Sequence, residues 1–299
     1  MNEKQMAKIL DLCKEIEKKQ GVGSIYSLGS KNANAGVKRW STGIEDLDII
    51  TGGGMPKGRM IEIFGPESSG KTSLAYHLCS LHPMCLFIPA EGTFDIERAK
   101  KFNNRPKQML VYRNATTGED MFEKMFDFAE AGIPLIVVDS VPYMTPKALY
   151  EATLEDAEKQ PQRGQLAAMF SRTLKPLNDI IERSGTTVIF INQVRDKMDA
   201  MMFGEKTQTP GGHALKHAMS LRIQVARRAW IEVPNKNPAN SAKTEKVGLI
   251  LKSKVVKSKL CNPLGEAEVP MFFDRGFVSF DDVSEIRKEI MAENNKKYR

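Results

Sequence analysis

The sequence has few cysteines and lacks any long apolar run. Its four cysteines, Cys13, Cys79, Cys85 and Cys261, show neither paired spacing nor the spacing of a metal site. No apolar run approaches the roughly 18 residues that a membrane helix requires, and residues 1–19 mix charges throughout, unlike a signal peptide. These absences argue against a zinc site and a membrane partner, and they predict buried, reduced thiols in a cytoplasmic protein.

The sequence also lacks a strong excess of either charge. It has 44 Lys and Arg against 37 Asp and Glu, a formal charge of +7, and 41% hydrophobic residues, which is ordinary for a soluble globular protein. The small basic excess favours a polyanionic partner. The basic residues are concentrated in two places, a segment with Lys252, Lys254, Lys257 and Lys259 and a loop with Arg195, Lys197 and Lys206.

Residues 65–72 read GPESSGKT and fit the pattern of a loop that binds phosphate. The residues of this loop are Gly65, Pro66, Glu67, Ser68, Ser69, Gly70, Lys71 and Thr72. An apolar strand is predicted before it at 60–64 and a helix after it at 73–81, a context that a chance glycine-rich turn would lack. Its backbone N–H groups would face the phosphates, Lys71 would reach the β- and γ-phosphates, and the Thr72 hydroxyl would hold Mg²⁺. The sequence therefore predicts a nucleotide site.

Strand and helix patterns alternate after this loop, which predicts an α/β fold with a mostly parallel sheet covered by helices on both faces. The predicted strands are 84–89, 135–138, 187–191, 221–226 and 247–251, and the predicted helices are 44–50, 95–102, 119–131 and 165–183. Ahead of this core, residues 2–19 show an amphipathic helical stripe. The periodicity leaves open whether that helix packs on its own chain or docks on a neighbouring subunit.

Three polar residues follow predicted strands at the edge where ligands bind in such sheets. Asp139 ends an apolar strand and could hold Mg²⁺, although an acid in this position is often only a helix cap. Glu91 could orient the water that attacks the γ-phosphate, or it could be a solvated loop acid. Gln193 could sense the γ-phosphate because its amide both donates and accepts hydrogen bonds.

Two long polar loops are predicted, at residues 151–164 and 194–212. Loops of this length are usually functional or disordered. The second one contains Met201, Met202 and Phe203 beside Arg and Lys residues. Apolar side chains can stack on the bases of a single strand while cations meet its phosphates. The alternative is that these three side chains enter the core.

Several motifs together resemble the bacterial RecA recombinase family. They are GPESSGKT at 65–72, IVVDS at 136–140, FINQ at 190–193, GGHALK at 211–216 and KVVKSK at 254–259. The resemblance is collinear over about the first 280 residues. It implies a RecA-like ATPase core and a DNA-dependent ATPase that uses ATP and Mg²⁺. It further implies a recombinase that forms a helical filament on single-stranded DNA and exchanges strands with homologous double-stranded DNA.

By position, the resemblance also assigns roles to individual residues. Lys71 and Thr72 hold phosphate and Mg²⁺, Asp139 is the second acid, Glu91 activates water and Gln193 couples the γ-phosphate to the long loop. Lys257 and Lys259 would reach ATP bound to the next subunit, while Asp95 and Arg98 would contact the nucleotide. The expected DNA-binding residues are Arg163, Arg195, Lys197, Met202, Phe203, Gly211 and Gly212.

The resemblance predicts three regions: residues 1–30 for subunit docking, 31–280 as the ATPase core, and 281–299 as a short charged tail in place of the family's carboxyl-terminal domain. Four positions depart from the family pattern: Arg98 for a tyrosine against adenine, Pro89 for an aspartate, Ala168 for an arginine and His217 for a phenylalanine. A compact, divergent chain of this kind also fits a phage-encoded member.

Two other functions are compatible with the same core. An accessory or mediator ATPase would bind DNA without exchanging strands, and the departures at Arg98 and Pro89 favour it. A ring helicase shares the core as well, but the helix directly ahead of the core and the lysine pair Lys257 and Lys259 argue against it.

Overall fold

The computed structural model describes residues 1–21, 24–25, 27, 36–102, 104–105, 107–152, 162–196, 207–235 and 242–297. The chain divides into two units, Met1–Lys38 and Arg39–Arg299. The first contains the amphipathic helix α1 (Glu3–Gln20), which begins with a reciprocal cap. Gln5 N donates to the Asn2 side chain at 3.0 Å, and Asn2 N donates to the Gln5 side chain at 3.0 Å.

The apolar stripe of α1 is largely accessible to solvent. Met6, Ile9 and Leu10 are 49%, 48% and 55% exposed, respectively. An apolar face of this kind is one that a partner surface would cover. The docking role of residues 1–30 stays a prediction.

A large mixed sheet forms the centre of the second unit. The strands are β1 (Arg39–Trp40), β2 (Met55–Pro56), β3 (Met60–Gly65), β4 (Cys85–Pro89), β5 (Met109–Val111), β6 (Leu135–Asp139), β7 (Thr187–Gln193), β8 (Arg195–Asp196), β9 (Thr207–Gln208), β10 (Leu221–Pro234), β11 (Thr244–Ser258), β12 (Glu266–Phe272) and β13 (Gly276–Phe277). Within the described residues the central sheet runs β13-β12-β11-β10-β3-β7-β6-β4-β5. Neighbouring strands are parallel among β10, β3, β7, β6, β4 and β5. They are antiparallel among β10, β11, β12 and β13.

Helices cover both faces of this sheet, which confirms the predicted α/β architecture. They are α2 (Glu45–Ile50), α3 (Lys71–Ser80), α4 (Ile96–Lys101), α5 (Gly118–Glu130), α6 (Lys147–Tyr150), α7 (Gln162–Ser184), α8 (Gly212–Ala218) and α9 (Val283–Lys297). Successive residues of β6 point to opposite faces. Val137 therefore packs in the cluster that contains Leu74 of α3, and Val138 in the cluster that contains Phe122 of α5 and Phe170 of α7.

The segment 281–299, expected to be a short charged tail, is mostly the helix α9. Its Ile290 is buried in a small cluster with Ile231, Val233 and Phe272. Arg275 also holds this helix through ion pairs with Glu289 at 2.5 Å and with Glu293 at 3.2 Å. Its few apolar residues among many charges are the reason that the sequence showed no clear helical stripe.

The hairpin of β10 and β11 is much longer than the two strands predicted at 221–226 and 247–251. Only Leu221–Gln224 pair with β3, so the rest of β10 continues past the end of β3 and runs beside the phosphate loop. The charged residues Arg227 and Arg228 interrupt the apolar pattern there, and both are exposed.

The prediction of buried thiols is right for two cysteines and wrong for two. Cys79 and Cys85 are buried in the core, whereas Cys13 and Cys261 are partly exposed. Cys13 lies on α1, and Cys261 lies in the turn that follows β11. All four are free thiols. Among the described residues, no helix is both long and apolar enough to cross a membrane.

Candidate nucleotide-binding site

The loop at 65–72 lies between β3 and α3, and two of its glycines are required by the geometry. A Cβ atom on Gly65 would lie 1.9 Å from the Val225 carbonyl oxygen, so no larger residue fits there. Gly70 precedes α3 with φ at +91°, in the left-handed region that glycine favours. The first N–H groups of α3, which have no partners within the helix, therefore point into the loop.

Lys71 is buried within this loop. Its ammonium group donates to the carbonyl oxygens of Gly65 and Pro66 at 3.1 Å and 2.6 Å. Burial lowers the pKa of Lys71, and the nearby carboxylates of Asp139 and Glu91 oppose that shift. The lysine is therefore a desolvated cation that phosphate oxygens would stabilise.

Thr72 and Asp139 come together across the edge of the sheet. The Thr72 hydroxyl donates to Asp139 Oδ2 at 2.7 Å. Burial raises the pKa of Asp139 to about 6, while the Thr72 hydrogen bond lowers it and Glu91 raises it further. A hydroxyl and a carboxylate at this spacing suit Mg²⁺, which takes few protein oxygens and completes its shell with phosphate and water. The described residues contain no group of three or more His, Cys, Asp or Glu that could hold a metal ion alone.

Glu91 and Gln193 also meet at this edge. Gln193 Nε2 donates to Glu91 Oε1 at 3.2 Å, and the Ser140 hydroxyl donates to the same oxygen at 2.7 Å. Glu91 lies just after β4 rather than at the end of the strand. Sequence reasoning assigned no role to Ser140, although it is the last residue of the motif IVVDS. The two hydrogen bonds from Ser140 and Gln193 fix the orientation of the Glu91 carboxylate.

Two cavities of about 290 and 300 Å³ adjoin the loop. The first is lined by Ser68, Ser69, Gly70, Lys71, Thr72, Arg98, Trp230, Leu249 and Phe273. The second is lined by Thr72, Tyr76, Glu91, Thr93, Phe94, Asp95, Arg98 and Asp139. Within the described part of the chain, the buried Ser69 hydroxyl has no hydrogen-bond partner, so the loop retains an unsatisfied polar group for a ligand.

Arg98 and Asp95 lie beside these cavities, as the resemblance implied. The Arg98 guanidinium donates to Ser73 Oγ at 2.8 Å, and the Asp95 side chain accepts from the Arg98 backbone N–H at 2.9 Å. Asp95 thereby caps α4. Their contact with a nucleotide stays a prediction.

A buried polar network, not found from the sequence, connects β3, β7 and β10. Asn192 Nδ2 donates to Glu62 Oε1 at 2.7 Å and to the Pro210 carbonyl at 2.9 Å, and Arg222 forms an ion pair with Glu62. Arg222 also donates to Thr209 Oγ1 at 3.3 Å. Glu62 interrupts the apolar run MIEIF, and a lone acid in a buried strand is a sign that it needs a partner.

This network anchors one end of the long loop predicted to contact DNA. The loop was expected to be structureless over 194–212, but β8 and β9 form a short antiparallel ladder at its base, with Arg195 opposite Gln208. Gly211 has φ at +98° and precedes α8, in which Gly212 is the first residue.

Lys197, Met202 and Phe203 lie outside the described residues. The loop predicted at 151–164 ends earlier than expected, because α7 begins at Gln162 and so includes Arg163.

The basic cluster, which lies on β11 except for Lys259 directly after it, separates into two pairs. Lys252 and Lys254 form ion pairs with Glu266 at 2.7 Å and 2.8 Å. Lys257 donates instead to the carbonyl oxygens of Lys216 and His217 at the end of α8. Burial lowers the pKa of Lys257, and Lys259 and Arg222 add to this effect.

The second pair lies away from the phosphate loop of its own chain. Lys257 pairs in register with Arg222, which in turn pairs with Glu62 in the middle of β3. The Lys259 backbone N–H donates to the Ser220 carbonyl oxygen. The phosphate loop follows the carboxyl end of β3. The structure therefore does not bring these lysines to Lys71 within one chain.

Comparisons with known proteins agree with this geometry. The family model described as RecA N-terminal domain matches residues 7–278. Protein RecA of Helicobacter pylori strain P12 is 38% identical over 269 residues, which are 88% of this chain and 73% of that protein. Protein RecA of Syntrophus aciditrophicus strain SB is 36% identical over 290 residues, 95% of this chain and 80% of that protein.

A third relative, Protein RecA of Paracoccus denitrificans, is 37% identical over 286 residues, 92% of this chain and 76% of that protein. Among solved structures, the crystal structure of the RadB recombinase is similar with a TM-score of 0.58 and 21% identity. The match covers 80% of this chain and 98% of that one. At this identity, the structural match supports the fold alone.

Proposed function

The chain belongs to the RecA family, and from this membership we propose that it is an ATP-dependent DNA recombinase. It forms a helical filament on single-stranded DNA and exchanges strands with a homologous duplex. The observation that supports this most directly is the cluster of Thr72, Asp139, Glu91 and Gln193 at the edge of the sheet that also carries the phosphate loop. These are the groups that hydrolysis of a nucleoside triphosphate requires.

ATP binds through the phosphate loop. Lys71 exchanges its contacts with the carbonyls of Gly65 and Pro66 for oxygens of the β- and γ-phosphates. Thr72 and Asp139 would hold Mg²⁺, which neutralises charge on the phosphates when bound. Because Lys71 is buried, the contact between this cation and the phosphates is only weakly screened by water.

Glu91 acts as the general base for hydrolysis. A water that donates to its carboxylate attacks the γ-phosphorus, its proton passes to Glu91, and the bond from phosphorus to the bridging oxygen breaks to release ADP. Ser140 and Gln193 both donate to Oε1 and fix the direction of the carboxylate. Positioning of this kind is the main contribution that a protein makes to phosphoryl transfer.

Gln193 links hydrolysis to DNA. Its backbone N–H is bound by the Asn192 side chain, and the chain enters the long loop directly after it at β8. A change of the Gln193 side chain on contact with the γ-phosphate is therefore passed to the base of the loop. Residues 151–164 and 195–212 are the proposed DNA-contacting loops, and Lys257 and Lys259 complete the site of a neighbouring subunit.

Strand exchange between circular single-stranded DNA and a homologous linear duplex tests this function. The unaltered chain should form joint molecules only with ATP and Mg²⁺, and Lys71→Ala should abolish them together with ATP binding. Tight DNA binding and ATP hydrolysis without joint molecules would support the accessory ATPase instead. A closed hexamer that unwinds duplexes would support the ring helicase.

A further inference from the structure

The first cavity beside the phosphate loop is lined by two kinds of residue. Lys71 and Thr72 provide a cation and a hydroxyl, whereas Trp230, Leu249 and Phe273 provide apolar surface. A ligand that matches both carries phosphates and a flat, weakly polar group within one molecule. The base of a nucleoside triphosphate is such a group, because aromatic side chains stack on its faces.

The extended part of the β10–β11 hairpin carries Trp230 and packs on the phosphate loop. Arg227, three residues before Trp230, donates to the Ser68 carbonyl oxygen at 3.3 Å. A Cβ atom added to Gly70 would lie 3.1 Å from the Leu251 side chain and 3.8 Å from that of Leu249, both on β11. These contacts fix the position of the hairpin relative to the phosphate loop.

Neighbouring side chains fix the orientation of the Trp230 ring. The Arg227 guanidinium carbon lies over the indole ring, 4.1 Å from its centroid, and Lys246 Nζ also lies over this ring, 4.7 Å from the centroid. The Phe273 ring meets the indole edge to face, with centroids 6.3 Å apart. Trp230 nevertheless stays partly exposed where it lines the cavity. An aromatic surface that is already oriented binds a flat ligand at little entropic cost.

We propose that Trp230 provides a surface that contacts the base of the bound nucleoside triphosphate. This inference rests on the ATP binding proposed above and adds a residue that determines affinity and base selectivity. Trp230 belongs to none of the sequence motifs, and it reaches the cavity only because β10 continues past β3. Arg98, the residue expected against the base, lines the same cavity but is bound to Ser73.

Tryptophan fluorescence provides the first test, since the chain has only two tryptophans. In a Trp40→Phe protein, Trp230 is the sole tryptophan. ATP should change the intensity or wavelength of its emission, whereas inorganic tripolyphosphate, which has phosphates but no base, should bind without this change. Equilibrium dialysis of labelled ATP on the same protein gives an independent measure of occupancy.

Substitution provides the second test. Trp230→Ala should raise the Kd for ATP about tenfold or more, as loss of one stacking contact does, and leave the Kd for tripolyphosphate unchanged. Trp230→Phe should retain most of the affinity. Trp40→Phe, which alters a partly buried tryptophan in edge-to-face contact with His82, is the matched control and should bind ATP normally.

The two tests separate failure of this inference from failure of the proposed function. Constant Trp230 emission at ATP concentrations that dialysis shows to be saturating would overturn the role of Trp230 and leave ATP binding intact. Equal loss of ATP and tripolyphosphate affinity in Trp230→Ala would also overturn it, because the residue would then only support the loop. Dialysis that finds no ATP bound to the unaltered chain would overturn both proposals.

Discussion

Burial raises the pKa of Asp139 to about 6 from its ordinary value of 3.8, although the Thr72 hydroxyl donates to it. Between these two values the folded chain binds a proton that the unfolded chain has lost. Its free energy of unfolding therefore falls as the pH rises through this window and stays lower above it. The charged carboxylate thus costs stability at neutral pH, which is consistent with a group kept for ligand binding.

Asp139→Asn should therefore stabilise the protein while it weakens nucleotide binding. In buffer without Mg²⁺ and nucleotide, its unfolding free energy should exceed that of the unaltered chain by up to about 3 kcal/mol above pH 6. The difference should shrink as the pH falls through this window and approach zero below about pH 3, because the carboxyl is then neutral in both states. Denaturant melts at several pH values measure it. A difference independent of pH would contradict the assignment.

Glu91→Gln should bind ATP and assemble on DNA but hydrolyse ATP about 100-fold more slowly, as loss of a general base does. The amide can still accept from Ser140, so the local structure should persist. Steady-state hydrolysis and a nucleotide-binding assay on the same protein separate the two effects. Glu123→Gln, which alters an exposed acid on α5, is the control. Hydrolysis at the normal rate would remove Glu91 from the mechanism.

At the scale of single residues, the sequence predicted those side chains that belong to a motif or end a strand. Lys71, Thr72 and Asp139 meet because the carboxyl ends of parallel strands share one edge. Ser140 and Glu62 could not be assigned roles in this way. Their functions depend on which side chain lies across the sheet from them, and spacing along one strand does not contain that information.

Among the structural elements, the link between β7 and the long loop is the place to test the coupling between ATP hydrolysis and DNA binding. Asn192 bridges Glu62 on β3 and the Pro210 carbonyl at the end of the loop, next to Gln193. A side chain with partners on both the sheet and the loop can transmit a change at the γ-phosphate to the segment proposed to contact DNA. Coupling of this kind is typically worth about five- to 150-fold.

Asn192→Ala should reduce the stimulation of ATP hydrolysis by DNA about tenfold while ATP binding without DNA stays unchanged. Asn104→Ala is a matched control, because Asn104 is also a buried asparagine but bonds the Tyr76 and Ala99 carbonyls, away from the loop. Both variants should lose stability to a similar extent. An equal loss of DNA stimulation in the two proteins would show that Asn192 has only a structural role.

The elements that the sequence predicted are those with a clear apolar period. The strands around β3, β6 and β7 are buried on both faces and read as continuous apolar runs. The part of the β10–β11 hairpin that continues past β3 was not predicted, and neither was α9. Each has few buried apolar residues among many charged ones, so neither shows a clear apolar period. The cavity wall formed by Trp230 could not be foreseen for the same reason.

For the whole molecule, the separation of Lys257 and Lys259 from the phosphate loop of their own chain is the main structural argument for an assembled site. The Lys257 ammonium group, on β11, donates to the carbonyl oxygens of Lys216 and His217 at the end of α8. Burial lowers its pKa, so a negatively charged partner would stabilise its ammonium form. The γ-phosphate of ATP on a neighbouring subunit, as proposed above, would be such a partner.

Lys257→Ala combined with Lys259→Ala should abolish DNA-stimulated hydrolysis and leave the affinity of the monomer for ATP unchanged. The matched control is Lys252→Ala with Lys254→Ala, which removes the same charge from the same segment of the chain but from residues paired with Glu266. Hydrolysis assays with an equal mixture of the double variant and Glu91→Gln extend the test. Activity in the mixture would mean that one chain supplies the lysines to the other chain's site.

The most direct test of the account is steady-state ATP hydrolysis with and without long single-stranded DNA over a range of protein concentrations. The account predicts strong stimulation by DNA with a cooperative dependence on protein concentration, because the site is complete only between adjacent subunits. Hydrolysis that is unaffected by DNA and linear in protein would contradict it. Each chain would then hydrolyse ATP alone, and the recombinase function would fall with the shared site.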